Sequence, residues 1–76
     1  MGTKLTFRYD RIGDILYVDK VSPYAEQDSD ELGDEVIARF NPTTGEIENL
    51  EILFFSTRLR DDVFELPVIA DLRRAV

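Results

Sequence analysis

The feature that most constrains the fold is a turn joined directly to a strongly β-forming run, in residues 41–55. Pro42 presets the backbone angle wanted at the first central position of a type I turn, and Asn41 can bond the backbone just beyond itself. Gly45 tolerates a positive φ angle before the chain re-enters a strand. Because the β-forming residues 36–40 come just before this turn, the sequence predicts a β-hairpin.

The outgoing strand of this hairpin alternates between two faces. Leu50, Ile52 and Phe54 share one face, since side chains alternate along a strand. Ile47 is out of phase with them by one residue. A bulge near Asn49 would restore the alternation, because a bulge inserts one extra residue.

A second hairpin is predicted near the start of the chain. Residues 4–9 alternate between apolar and polar, which is typical of a half-buried strand. Residues 10–13 form a turn in which an aspartate can bond the backbone, and residues 14–19 return as the second strand. We expect Leu16 and Val18 in the core. The opposite face of this strand is also apolar, so we expect something to cover it.

The segment between the hairpins is less regular. Residues 21–27 suit a short edge strand, because Pro23 cannot donate to a central ladder. Residues 26–35 contain six carboxylates and no basic residue, which predicts a solvated, mobile loop. A calcium-loop match over this stretch fails, because Leu32 stands at position 5 and Arg39 at position 12, where calcium ligands are needed.

The C-terminal third is predicted to hold little regular structure. Residues 56–62 suit one or two helical turns, with Ser56 as the capping candidate. Residues 64–70 look extended, since Pro67 biases the residue before it away from helix. The expected fold is one small α+β domain over residues 1–76, mainly antiparallel β: about five strands in a meander-type sheet with one short helix.

Composition narrows the classes of function. The net charge of −7 disfavours binding to nucleic acid or to an anionic membrane surface. The absence of histidine and cysteine removes the usual zinc sites and the Ser-His-Asp and Cys-His arrangements. We find no phosphate-binding glycine loop, no apolar run of spanning length and no signal-peptide core, and therefore expect a cytoplasmic protein without a cofactor. A domain this small often self-associates, so a homodimer is the first expectation.

The spacing of several short motifs resembles that of the DUF2283 family of small bacterial proteins of unknown function. The resemblance covers roughly residues 7–59 and is carried by Tyr-Asp at 9–10, Asp-Ile-Leu-Tyr-Val at 14–18, Val-Ile at 36–37, Leu-Glu-Ile-Leu at 50–53 and Ser56. Phe40-Asn41 and Asn49 depart from the family pattern, and residues 64–70 resemble an extension in some cyanobacterial members. The resemblance implies a small β-rich fold and carries no established activity. Because some members are found beside toxin-like genes, it also suggests an antitoxin or partner-binding role.

The carboxylates offer two readings. Asp10, Asp14 and Asp19 bracket the first hairpin and could bind Mg²⁺ or Ca²⁺ as hard oxygen ligands, although aspartates at such positions more often form turns. Asp10, Asp14 and Glu51 are the candidate catalytic groups. For Glu51 the favoured reading is instead a cross-strand ion pair with Arg39, which contributes roughly 0.2–1 kcal/mol.

Large apolar residues mark the candidate interaction surface. The β-forming run has bulky side chains on both faces, so the second face must be covered either by the short helix and residues 64–69 or by another subunit. The candidate residues are Leu53, Phe55, Phe64, Leu66 and Val68. We therefore expect a small interaction module that forms a homo-oligomer or binds another protein, in an antitoxin-like manner. The alternative is a carboxylate- or metal-dependent enzyme whose site lies between subunits.

Overall fold

The computed structural model of the protein describes residues 4–75 and contains one sheet of five antiparallel strands. The strands are β1 (Thr6–Asp10), β2 (Ile15–Asp19), β3 (Asp28–Gly33), β4 (Val36–Phe40) and β5 (Ile47–Leu53). One helical turn, α1 (Phe55–Arg58), and a 3₁₀ turn at Leu59–Asp61 follow β5. The predicted fold class, a mainly antiparallel five-stranded sheet with one short helix, is confirmed.

The strand order in the sheet is β1-β2-β5-β4-β3. The β1–β2 hairpin and the β3–β4–β5 meander are joined by antiparallel pairing of β2 with β5. The connection after β2 must therefore carry the chain from the middle of the sheet to its far edge. None of the helices in residues 4–75 is long and apolar enough to cross a membrane.

One face of the sheet holds the core. Its four buried apolar residues are Val36, Ala38, Leu50 and Ile52, on the neighbouring strands β4 and β5. Leu16 and Val18 of β2 pack against them, as the alternation predicted. Phe55 of α1 and three residues of the C-terminal segment cover this face: Phe64, Leu66 and Val68.

The C-terminal segment covers the core without joining the sheet. Its half-buried and exposed residues alternate from Phe64 to Val68, but no strand is assigned between residues 62 and 75 and the chain bends at residues 67 and 68. The Val68 N–H donates to the Leu66 carbonyl oxygen at 2.8 Å, which closes a tight three-residue turn around Pro67. The extended segment is thus placed within the chain, as a cover for the core.

The central hairpin contains the bulge that its sequence requires. Arg39 lies opposite Asn49, whereas Phe40 lies opposite Ile47, so Glu48 is the extra residue. This confirms the predicted bulge near Asn49. The turn also forms as predicted, since backbone N–H groups of residues 43 and 44 donate to Asn41 Oδ1 at 2.8 and 3.0 Å.

Two predictions about the segment between the hairpins are wrong. Residues 21–27 form no strand, and the edge strand is instead β3, within the acidic stretch expected to be a loop. Like charges do not prevent strand formation at an edge, because the carboxylates of β3 reach solvent while its backbone pairs with β4. A register shift between Glu31 and Gly33 places a bulge near the end of this strand.

The helix and the C-terminal segment lie on the core face of the sheet and do not cover its second face. Long polar side chains from neighbouring strands lie on it instead. The Arg8 guanidinium lies 4.5 Å from the centroid of the Tyr17 ring, which is a cation–π distance. Phe54, predicted on the core face of the strand, lies beyond the end of β5 in a left-handed conformation (φ 53°) and is 54% exposed.

Candidate functional site

Asp14 is the centre of a hydrogen-bonded cluster at one end of β2. It ends the first turn with a φ angle of 55°, a conformation that aspartate tolerates better than most residues. Its Oδ1 accepts hydrogen bonds from the Tyr9 hydroxyl at 2.7 Å and from the Ser56 N–H at 3.0 Å. Its Oδ2 accepts one from the Ser56 hydroxyl at 2.7 Å. The Asp14 carbonyl oxygen accepts a further bond from the Phe55 N–H at 3.0 Å.

This arrangement caps α1 from a distance. The first N–H groups of a helix lack partners within it, and here two of them are satisfied by a residue that lies 42 positions before Ser56. The N-cap residue itself is Phe54, which has no side-chain capping bond. Ser56 as the helix cap was therefore a wrong prediction, because it lies inside α1 and donates to Asp14.

The protonation states favour a structural cluster over an acid–base one. The Ser56 hydroxyl, the Tyr9 hydroxyl and the Ser56 N–H all donate to the Asp14 carboxylate and lower its pKa. The same hydrogen bond to Asp14 raises the pKa of Tyr9. At neutral pH the aspartate is ionised and the phenol is protonated. A carboxylate with a lowered pKa is a weaker base, so it is poorly suited to activate the serine.

A second polar cluster lies at the other end of β2, around the buried Asn49. Asn49 is 2% exposed, and its Nδ2 donates to Asp19 Oδ1 at 2.9 Å and to the Val21 carbonyl oxygen at 2.6 Å. The Gln27 Nε2 donates to Asn49 Oδ1 at 2.7 Å. Asn49 thus connects β2, β5 and the connection that crosses the sheet. Among the described residues, every buried side-chain nitrogen and oxygen has a hydrogen-bond partner.

The bulged residue Glu48 extends this cluster. Its carboxylate accepts hydrogen bonds from the Tyr24 hydroxyl at 2.6 Å, from Gln27 Nε2 at 3.1 Å and from Asn41 Nδ2 at 3.2 Å. These donors lower the pKa of Glu48, with the Tyr24 hydroxyl contributing most. The same bond raises the pKa of Tyr24 to about 12. The cluster holds the irregular connection against the sheet.

The candidate metal ligands are placed in three separate contacts. Asp10 Oδ1 accepts the N–H groups of Ile12 and Gly13 at 3.0 and 3.1 Å, which is the predicted turn. A Cβ on Gly13 would lie 2.9 Å from Asp10 Oδ2, so a larger residue there would displace the Asp10 carboxylate. Asp14 caps α1, and Asp19 pairs with Arg8 at 2.9 Å. Within residues 4–75, no three carboxylates lie close enough together to hold a metal ion.

The candidate catalytic residue Glu51 forms the predicted ion pair. Arg39 Nε lies 2.8 Å from Glu51 Oε2, diagonally across the β4–β5 pair. The pair joins two strands on the second face of the sheet. Asp10 and Asp14, the other candidates, belong to the first turn at the opposite end of β2 from Asp19.

The candidate interaction residues fall into two groups. Four of them pack against the chain's own core, namely Phe55, Phe64, Leu66 and Val68. The rings of Phe55 and Phe64 meet edge to face, with centroids 6.0 Å apart. Leu53 is half-buried on the second face. These side chains are largely used inside the molecule, so the exposed apolar surface must be sought elsewhere.

Sequence reasoning missed the exposed apolar residues on and beside the edge strand β1. All five of its residues are exposed, and Phe7 is 62% exposed on the core face of the sheet. Leu5 and Tyr9 share that face and are 43% and 46% exposed. The alternation of this strand was visible in the sequence, but its position at the edge of the sheet depends on the pairing of β2 with β5.

A comparison with protein-family models gives a match over residues 6–56, to a family described as a protein of unknown function (DUF2283). This chain belongs to the DUF2283 family. The match begins at β1 and ends at Ser56, so it includes both Asp14 and the serine that donates to it. Neither the comparison with curated proteins nor the comparison with solved structures gives a match.

The DUF2283 match includes the sheet but not the C-terminal segment that covers the core. The five strands and both polar clusters lie within it, whereas Phe64, Leu66 and Val68 lie beyond it. The segment that covers the core in this chain is therefore not part of the matched family region.

The capping role of Asp14 predicts a defined pH dependence of stability. Its pKa is lower in the folded protein than the ordinary value of 3.8, so its contribution is complete above that value and is lost as the pH falls below it. Asp14→Asn should therefore lower stability at pH 7 and flatten the decline at acid pH. Thermal unfolding between pH 2 and pH 7 would measure this. An unchanged acid decline in the variant would contradict the role.

The buried position of Asn49 predicts a large cost for its removal. Asn49→Ala removes this partner from the Val21 carbonyl oxygen and from Asp19 Oδ1, whereas Gln27 Nε2 keeps its bond to Glu48. Each buried group left unpaired costs about 1–3 kcal/mol. Urea unfolding would measure the loss. Thr43→Ala is the control, because Thr43 is exposed in the turn. Equal stabilities of the two variants would show that the cluster does not hold the connection.

Proposed function

We propose that this DUF2283 protein is a small cytoplasmic protein-interaction module whose binding element is β1, the open edge of its sheet. The observation that carries the proposal is the combination of Leu5, Phe7 and Tyr9, all more than 40% exposed on one face, with an edge that has no neighbouring strand among residues 4–75. An edge strand offers a row of unpaired backbone groups to another chain. Binding by strand addition uses those groups for affinity and the side chains for specificity.

The contrast between the two edges supports this choice. β3, at the other edge, carries Asp28, Asp30 and Glu31 and is bulged near its end. Charges and bulges are the usual means by which proteins keep edge strands from pairing. β1 pairs with β2 in unbroken register and contains neither a bulge nor a proline. It is the edge that remains open to a partner.

The acidic stretch gives the proposal an antitoxin-like form. In the ordered structure, the six carboxylates of residues 26–35 lie on or beside β3 and are all exposed. None of the ion pairs among the described residues includes them. An acidic edge of this kind suits a basic partner protein, since opposite charges accelerate encounter and exclude wrong partners.

The enzyme alternative gains no comparable support. Asp10, Asp14 and Glu51 hold a turn, a helix end and an ion pair in turn, and each of them uses at least one carboxylate oxygen in that contact. Catalysis by carboxylates needs two of them at one cleft with different pKa values. The interaction module is the function that the geometry favours.

The proposal is tested by site-specific photo-crosslinking in the native cell. A photoreactive amino acid replaces Thr6 on β1, and in a control it replaces Thr43, which is also exposed but lies in the central turn. We expect protein adducts from position 6 and none from position 43, because position 6 lies on the proposed binding strand and position 43 lies in a turn. Mass analysis identifies what is attached. The absence of any adduct at position 6 would overturn the proposal.

The antitoxin-like form is tested by neutralising β3. A variant with Asp28→Asn, Asp30→Asn and Glu31→Gln should lose a basic protein that the wild type captures from the native cell. The control variant, Asp61→Asn, Asp62→Asn and Glu65→Gln, also removes three negative charges at exposed positions away from β3. Equal capture by both variants and the wild type would contradict the antitoxin-like form and leave binding at β1 unaffected.

A further inference from the structure

We infer that the partner of β1 is β1 of a second copy of this chain, paired antiparallel about a two-fold axis at Phe7. This inference rests on the proposed function and adds to it the occupant and the register. It follows from three properties of the strand: the direction of its backbone groups, the sequence of its side chains, and its charges.

The direction of the β1 backbone can be followed from strand to strand. The Leu53 N–H donates to the Glu35 carbonyl oxygen at 3.0 Å, so the backbone N–H and C=O groups of odd-numbered β5 residues point towards β4. The Lys20 N–H donates to the Glu48 carbonyl oxygen at 2.9 Å, so the backbone groups of even-numbered β2 residues point towards β5. Because these groups alternate in direction along an antiparallel strand, those of odd-numbered β2 residues point towards β1.

The partners of those odd-numbered residues are known from the register. Thr6 lies opposite Asp19, Arg8 opposite Tyr17 and Asp10 opposite Ile15. The backbone groups of these even-numbered residues of β1 are used inside the sheet. The N–H and C=O groups of Phe7 and Tyr9 therefore point to the open edge, and those of Leu5 do the same if the strand extends by one residue.

A two-fold axis at Phe7 matches these directions. Phe7 then lies opposite Phe7 of the second copy, and Leu5 lies opposite its Tyr9, all as hydrogen-bonded pairs. The three apolar side chains of each copy fall on one face and cover each other across the new edge. Contacts between aromatic and branched side chains are among the favourable cross-strand pairs.

Charge selects this register over its neighbour. With the axis at Phe7, Lys4 of each copy lies opposite Asp10 of the other, and Arg8 lies opposite Thr6. Moving the axis to Arg8 preserves the directions of the backbone groups but places the two Arg8 side chains directly opposite each other. Like charges in that position destabilise a strand pair, whereas opposite charges stabilise it.

Pairing of β1 with β3 of a second copy is the competing arrangement. It would place Phe7 and Tyr9 beside Asp28 and Asp30, because these four residues all lie on the core face of the sheet. Burying an apolar side chain against a carboxylate removes the water that the charge requires. Such a contact is also not closed, since each copy would leave one edge of each kind open, and the assembly would grow with concentration.

The first test is the mass in solution by light scattering after gel filtration, at two concentrations tenfold apart. We expect twice the chain mass of 8.8 kDa at both concentrations. Phe7→Lys should reduce this to the mass of one chain, while Phe54→Lys, at a residue of similar exposure (54% against 62%), should leave the dimer intact. A single-chain mass for the wild type, or a mass that keeps rising, would overturn the inference.

The second test fixes the register and does not depend on a destabilising change. The chain has no cysteine, so Phe7→Cys and Leu5→Cys each introduce a single thiol. At Phe7 the two Cα atoms would be about 5.5 Å apart. At Leu5 they would be separated by four residues along the strand, or roughly 14 Å. A short bifunctional thiol reagent should therefore link Phe7→Cys chains in high yield and Leu5→Cys chains poorly. Equal yields would overturn the register.

The outcomes also separate this inference from the proposed function. Photo-crosslinks from position 6 to a different protein, with a wild type that is monomeric in solution, would retain the interaction module and overturn the second copy as its partner. Crosslinks between identical chains, with a mass of two chains, support both.

Discussion

The pairing of β2 with β5 is the contact on which the rest of the structure depends. It joins the first hairpin to the three-stranded meander, although 27 residues separate the end of one strand from the start of the other. Both ends of this pair are fixed by polar contacts. Asp14 bonds Ser56 at one end, and Asp19 bonds Asn49 at the other. A one-residue slip would turn Leu50 and Ile52 away from the core and break both contacts, so the register has no near competitor.

The core that this pairing creates is small, because it lies on one face of a single sheet. Four buried apolar residues are few for a chain of 76 residues without disulfides, and a domain of this size buries a modest fraction of its surface. The C-terminal segment adds the missing cover with alternate residues from Phe64 to Val68. That cover lies over the centre of the sheet. Tyr9 meets it at Phe55, where the two rings pack edge to face with their centroids 5.9 Å apart. Phe7, one step further along β1, remains exposed.

The parts of the fold that could be predicted are those encoded by neighbouring residues. The phase error at Ile47 predicted the bulge, opposite charges on Arg39 and Glu51 predicted the ion pair, and β-forming runs beside recognisable turns predicted four of the five strands. The failures are nonlocal. The like charges of β3 predict a loop, yet the segment forms a strand because its backbone pairs with that of β4. The position of Ser56 predicts a helix cap, yet the capping group is the Asp14 carboxylate, which lies far earlier in the chain. The open edge at β1 follows from the strand order, which local patterns do not encode.

The two edge strands of the sheet differ in chemistry, so only one of them is suited to pairing with another chain. A sheet with two pairing-competent edges would join end to end without limit, because each added copy would present a new edge. In this chain the acidic residues are concentrated at β3 and the exposed aromatic residues at β1. Two copies joined at β1 would therefore present β3 at both outer edges, where like charges oppose further pairing. In such a dimer the carboxylates of β3 would have two effects: they would stop further growth of the sheet, and they would present the same acidic surface at both ends.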